Sequence, residues 1–234
     1  MKITFEIYYH TRWGESLFLS GDIDELGANE ENRAVMMDYQ GDGLWKYTME
    51  LPASAKKFHY EYLVKSGEGI RREWGSPHSF SPGRNAGEYR LVDRWRDVPA
   101  DLPFYSSAFI QGIFFRQHAD SVVETIDPGT LTVKVDASQL RPDERLVMVG
   151  DCPELGDWDV LKAPLLNDSA FPEWQITLDG RQLKFPFEYK FVIVRTHQRE
   201  VVAWETGENR ICREKPQNPS EAVVVSGLRF NGSE

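Results

Sequence analysis

The sequence predicts an all-β chain of two tandem immunoglobulin-like antiparallel β-sandwiches, and three observations carry that prediction. Short runs of aromatic and β-branched residues are broken repeatedly by Gly, Pro, Asn or Asp. No long stretch shows the apolar period of a helix. The pattern of the first half also returns in the second at a nearly fixed spacing. A spacing this long marks a duplicated domain of about 100 residues, since solenoids and propellers repeat every 20–50 or so.

Taken in order, Phe5 to Tyr9, Ser16 to Ser20, Leu44 to Leu51, Phe58 to Lys65 and Tyr89 to Val92 read as strands of the first unit. Gly21, Leu26, Gly27, Ala34 and Trp45 then recur as Gly150, Leu155, Gly156, Ala163 and Trp174, each 129 positions on. Glu61-Tyr62 is matched with Glu188-Tyr189, and Trp74 with Trp204, at spacings of 127 and 130. The expected division is residues 1–100 for the first sandwich, 101–128 for an ordered linker and 129–234 for the second. Arg94-Trp95-Arg96, Leu102-Pro103-Phe104-Tyr105, Ile110, Ile113, Phe114 and Phe115 make the connecting stretch too aromatic for a flexible tether. It is expected to pack along the first sandwich and set the angle between the two. Glu221 to Val225 reads as the last strand, and Asn231 to Glu234 as a frayed end.

Composition excludes several functions. A net charge of −10 and a pI near 5.1 repel phosphate backbones, so neither nucleic acid nor a membrane surface is an expected partner. No apolar run approaches the ~20 residues that cross a bilayer, and the strand-like start Lys2-Ile3-Thr4-Phe5 is unlike a secretory signal. The chain reads as cytoplasmic. Cys152 and Cys212 lack metal-ligand spacing and read as separate thiols. The five histidines are scattered with no nucleophile beside them, so neither metal nor other cofactor is expected.

The stretch Ala203-Trp204-Glu205-Thr206-Gly207-Glu208-Asn209-Arg210 places an indole beside hydrogen-bonding groups at a strand end. A pyranose ring has an apolar C–H face that lies on an indole and a hydroxyl rim that needs fixed donors and acceptors. Taken alone, the octapeptide reads rather as a core tryptophan followed by an ordinary turn.

Val149-Gly150, Pro153-Glu154-Leu155-Gly156-Asp157-Trp158, Ala163, Trp174, Phe187-Glu188-Tyr189-Lys190, Trp204-Glu205 and Asn209-Arg210, in this order, resemble the starch-binding domain, carbohydrate-binding module family 20. The first half resembles a divergent copy. The tandem pair, with its connecting stretch, is similar to the N-terminal part of the disproportionating type of 4-α-glucanotransferase, in which an amylomaltase-like barrel of glycoside hydrolase family 77 follows. No such barrel falls within these 234 residues.

The resemblance implies a glucan site made by Trp158, Trp204, Lys190, Glu205 and Asn209, in which two angled indoles take successive glucoses of a curled α-1,4 chain. The first copy is expected to carry Asn29, Leu63, Gly75 and His78 in place of Trp158, Lys190, Glu205 and Asn209, which would leave this site weak or absent there. A second family site, on another face, would use Trp13, Asp38 and Tyr39 in the first copy, where the second copy has Pro142 in place of Trp13. Trp174 sits mid-strand and is assigned to the core, and Trp74 to packing.

The function expected is non-catalytic binding of starch, glycogen or maltodextrin by two modules that anchor a C-terminal 4-α-glucanotransferase domain. The chief alternative is a protein-interaction or interdomain scaffold with little glucan affinity. A glycosidase with two catalytic carboxylates is disfavoured, because none of the 37 Asp and Glu stands out as a pair.

Overall fold

A computed structural model describes residues 1–83, 87–97 and 126–231. The expected linker, 101–128, lies almost wholly outside these described residues. The first module comprises β1 (Lys2–Tyr8), β2 (Ser16–Gly21), β3 (Val35–Met36), β4 (Asp38–Gly41), β5 (Leu44–Glu50), β6 (Phe58–Ser66), β7 (Gly69–Arg72), β8 (His78–Phe80) and β9 (Glu88–Arg94). The second comprises β10 (Thr130–Asp136), β11 (Glu144–Gly150), β12 (Asn167–Ala170), β13 (Glu173–Asp179), β14 (Phe187–Arg195), β15 (Val201–Trp204), β16 (Arg210–Cys212) and β17 (Glu221–Arg229). Each module stacks two sheets over a core.

The duplication holds at the level of single hydrogen bonds. In β1 and β5, Thr4 and Thr48 share a hydroxyl contact of 3.2 Å, and Thr132 and Thr177 repeat it at 3.0 Å across β10 and β13. Trp45 Nε1 donates to Tyr9 O and Trp174 Nε1 to Ala137 O, both at 3.1 Å, so both mid-strand indoles are core residues with their one polar atom satisfied. After β2 and β11, the 3-10 turns Asp24–Leu26 and Pro153–Leu155 end on Gly27 and Gly156 at φ +86 and +82, a conformation glycine adopts without steric cost.

The ladders correct the spacing expected in the central strand. Gly21 lies opposite Tyr60, and Gly150 opposite Tyr189. Asp22 brackets His59 as Asp151 brackets Glu188. Tyr60, not Tyr62, is therefore the counterpart of Tyr189, and the spacing remains 129. Next along the chain, Tyr62 N–H donates to Glu73 at 3.1 Å as Phe191 N–H donates to Glu205 at 3.3 Å. Arg72 pairs with Leu63 as Trp204 pairs with Val192. Trp204 thus corresponds to Arg72, Glu205 to Glu73, and Lys190 to Glu61. Trp74 stands at the place of Thr206. Gly75, at φ +96, matches Gly207 at +86, and His78 matches Arg210.

The larger departure from two beads on a string lies at the centre of the molecule. One eight-stranded sheet runs β12-β13-β10-β17-β9-β1-β5-β4 through both modules. The last strands of the two copies, β9 and β17, pair in parallel from Glu221 opposite Glu88 to Val225 opposite Val92. Because side chains alternate across a strand, β17 serves both cores: Val223, Val225 and Leu228 enter the second, while Ala222 and Val224 enter the first. Val92 of β9 in turn enters the second core. This explains why Ala222 to Val225 reads as an unbroken apolar run, the pattern of a strand buried on both faces. Gly227, at φ +73, makes the bulge beyond this stretch, where a Cβ would lie 2.3 Å from Arg94 O. The two cores lie on opposite faces of the shared sheet although its four central strands are parallel, as a pseudo-two-fold axis along the strands requires.

Candidate functional site

The second sheet of the second module, β15-β14-β11 with β16 on the far end of β14, turns one face to the core and the other outward. Tyr189, Phe191 and Ile193 point inward, so Glu188, Lys190, Val192 and Val194 point outward with their cross-strand partners Val147 and Val149. Trp204 lies opposite Val192 and shares that outer face. Its indole is 41% exposed.

Trp158 reaches the same face from the loop after β11. That loop folds over the sheet, closing a small apolar cluster of Val147, Val149, Ala163, Val192 and Val194, against which Trp158 and Val160 pack. Trp158 N–H donates to Gly150 O at 2.7 Å and its φ is +64, left-handed backbone that a bulky side chain occupies only at a cost. Asn29 makes the same bond to Gly21 O at 2.7 Å with φ +63, where asparagine is at ease. The backbone slot is common to both modules, and only the second fills it with an indole.

The polar residues divide into two groups. Lys190 Nζ donates to Glu205 O at 3.1 Å and Gly207 O at 2.6 Å, and Asn209 Nδ2 donates to Glu188 Oε2 at 2.8 Å on the outer surface. Glu205 differs from the expected hydroxyl ligand: it is only 4% exposed and points inward. Its carboxylate accepts from Arg210 Nε at 3.0 Å, from Arg210 Nη2, and from Phe191 N–H. Arg210 also donates to Arg229 O at 2.7 Å, and Thr206 N–H to Asn231 O at 2.7 Å, so the turn bearing Asn209 is fixed from beneath. The sequence reading does not single out Glu188 or Arg210 as site residues. The two-residue alternation from Lys190 would have placed Glu188 on the right face.

The first module presents a different surface at this place. Arg72, in the position of Trp204, donates to Glu61 and Glu31, and Asn29 and Pro77 stand where Trp158 and Asn209 do. Beneath it, Glu73 binds His78 Nε2 at 3.1 Å and Arg96 Nε at 3.0 Å, so the buried carboxylate is kept with different partners. Burial alone would raise the Glu73 pKa, but His78 and Arg96 outweigh it and hold the carboxyl below its ordinary value.

The aromatics expected to form the other site lie at one end of the first module. Trp13, in the loop from β1 to β2, is fully exposed. The turn beneath it is fixed by Arg12 N–H on Glu15 at 2.8 Å and by Arg71, which reaches Glu15 at 3.4 Å and Tyr9 OH at 2.5 Å. Arg141 N–H on Glu144, at 2.8 Å, repeats the turn and places Pro142 in Trp13's position. Tyr39 packs on Trp45 at 5.1 Å between ring centroids and accepts Gly43 N–H at 3.3 Å, and Asp38 beside it is exposed.

The sequence profile of the starch binding domain matches twice, over residues 1–85 and 130–223. The chain belongs to the starch-binding domain family. Among the relatives of this starch-binding chain is the 4-alpha-glucanotransferase DPE2 of Oryza sativa subsp. japonica, 27% identical over 97% of this chain and 26% of its own length. Another is a cyclomaltodextrin glucanotransferase of Geobacillus stearothermophilus, 26% identical over 44% of this chain and 14% of its own. The chain therefore spans about a quarter of the rice relative. Among solved structures, the family 20 module of a maltotetraose-forming amylase from Pseudomonas saccharophila STB07 is 19% identical, with 42% of this chain and 99% of that one covered and a TM-score of 0.34.

The thiols of this starch-binding pair are separate and buried, and burial pushes Cys152 up to about 11 and Cys212 up to about 12.

Proposed function

We propose that the chain binds α-1,4-glucan without catalysis and that its principal site is the outer face carrying Trp158 and Trp204. The observation that carries this reading is Trp158 itself. A half-buried indole held at φ +64 costs on the order of 1–3 kcal/mol of backbone strain, the kind of cost that concentrates at binding sites. Each indole offers a stacking surface to one glucose. An ammonium has three donors, and Lys190 gives two to the carbonyls of Glu205 and Gly207, leaving one for a sugar hydroxyl. Asn209 and Glu188 supply the amide and carboxylate at the rim. Glu205 acts from behind, holding the turn through Arg210 rather than touching sugar.

In the first module, Trp13, Asp38 and Tyr39 form a second, smaller site. The shared sheet, rather than a tether, fixes the spacing of the two sites, which raises local concentration for any polymer long enough to span them. By likeness to the rice relative, the pair holds glucan for a 4-α-glucanotransferase. The scaffold reading is favoured at the Arg72–Glu61–Glu31 surface, where ion pairs replace indoles.

Titration with β-cyclodextrin, which has the curl of such a glucan segment, tests the site by tryptophan fluorescence. Wild type should bind in the micromolar to millimolar range. Unchanged binding in a Trp158→Ala/Trp204→Ala protein would remove the assignment.

A further inference from the structure

We propose that Arg199 is a positioning residue for Trp158, a part that rests on the glucan-binding reading of the outer face. Arg199 lies in the hairpin between β14 and β15, far along the chain from the Trp158 loop, and it turns inward while its neighbours Thr196, His197, Gln198 and Glu200 are exposed. The hairpin presents it firmly: Arg195 N–H donates to Glu200 O at 2.9 Å, Arg199 N–H to Arg195 O at 2.9 Å, and Arg195 pairs with Glu200 at 2.8 Å. Its own φ of +50 aims the side chain across the sheet.

The guanidinium ends on the main chain of the Trp158 loop. Nη1 lies 2.9 Å from Leu161 O and 2.7 Å from Ala163 O, with Val160 O at 3.5 Å. The loop also holds itself through Asp159, whose carbonyl accepts Lys162 and Ala163 N–H and whose carboxylate accepts Leu161 N–H at 3.0 Å. Those internal bonds give the loop a shape but do not fix it to the sheet. At one end Trp158 N–H on Gly150 O makes that attachment, at the other Met148 N–H on Pro164 O and Leu166 N–H on Leu146 O bond the chain to β11, and Arg199 ties down the span between them. A charged donor shared between carbonyls suits this task, because a planar guanidinium loses little freedom for each bond it makes.

In the first module the corresponding loop is held by Lys65 on Glu31 O, the counterpart of Val160 O. That loop carries Asn29 and has one such contact. The loop that must hold an indole in left-handed backbone has three carbonyls gathered on one arginine. Without Arg199 the indole would sample other orientations, and ordering it would count against binding.

The test uses the 234-residue chain labelled with 5-fluorotryptophan, the Trp158 resonance being the one lost in Trp158→Phe. Arg199→Ala should shift or broaden that resonance and leave the other tryptophans in place. It should weaken β-cyclodextrin binding roughly tenfold. Arg199→Lys should recover part of the affinity, and Arg199→Ala should add no further loss in a Trp158→Ala background. An unchanged Trp158 resonance, or losses that simply add, would overturn the positioning role even with the site intact. If wild type binds no cyclodextrin, the glucan reading fails, while the Trp158 resonance still reports whether Arg199 holds the indole.

Discussion

On the outer face of its second sheet, the first module carries Asn29, Glu61 and Arg72 where the second carries Trp158, Lys190 and Trp204. Beneath that face the two are nearly superimposable in role: a buried glutamate, Glu73 or Glu205, holds the next turn through His78 or Arg210 and accepts a main-chain N–H from the central strand. The buried support was therefore kept in both copies, and the pair of exposed indoles in one. Support and contact are separable, and they should respond to different substitutions.

The largest effect is expected below the face. Glu205→Ala leaves Arg210 partly buried without its carboxylate, and Glu73→Ala does the same to Arg96 while His78 keeps its bond to Ser226, so each should lower unfolding free energy by about 3–5 kcal/mol in denaturant melts. Acid adds a signature in the first module. Since the folded Glu73 pKa lies below the unfolded value, its contribution is present above about pH 4.5 and is lost as pH falls through the folded pKa. Melts of Glu73→Gln should show a shallower decline below pH 4.5 than wild type. An equal slope would mean that the pair does not govern acid stability.

Next in size is contact. Trp158→Ala should cost about 1–3 kcal/mol in cyclodextrin affinity by calorimetry, whereas Arg72→Ala in the first module should leave affinity unchanged. A loss in the second variant would show that the charged face also takes part.

Asn29→Trp sharpens the comparison in the other direction. It should destabilise the chain by about 1–2 kcal/mol from left-handed strain and confer no affinity, because Glu61 and Arg72 remain where an ammonium and a second indole are needed. A gain in binding would mean that one indole suffices.

Smallest is the effect of Trp13→Ala on stability, within about 0.5 kcal/mol, since the side chain is fully exposed. In a Trp158→Ala background it should nevertheless remove the residual glucan binding measured by affinity electrophoresis. Residual binding that survives would move the first module's site away from Trp13, Asp38 and Tyr39.

The sequence was most informative where one residue type has one use. Trp174 reads correctly as core, and the turn glycines with Trp45 and Trp174 aligned the two copies over most of their length. The slip in the central strand has a physical cause. Phe58, Tyr60 and Tyr62 correspond to Phe187, Tyr189 and Phe191 at the same two-residue period, so moving the alignment by two lays aromatic on aromatic, and only the ladder distinguishes the registers. Matching Trp74 with Trp204 followed chemical identity, whereas the backbone follows Glu73 and Glu205. The inward turn of Glu205 needed the alternation from Trp204 together with Arg210 as a partner. The junction of β9 with β17 left no local signature beyond four consecutive apolar residues, because parallel pairing between distant strands is encoded in no single turn.

That junction also has a mechanical meaning. β17 is the last strand described and lies parallel to both of its neighbours, β10 and β9. A pull on the chain beyond Arg229, directed along the strand, loads the hydrogen bonds of both ladders together in shear instead of opening them one at a time. The last strand described is thus the one clamped on two sides, and a load along it is spread across both sandwiches at once.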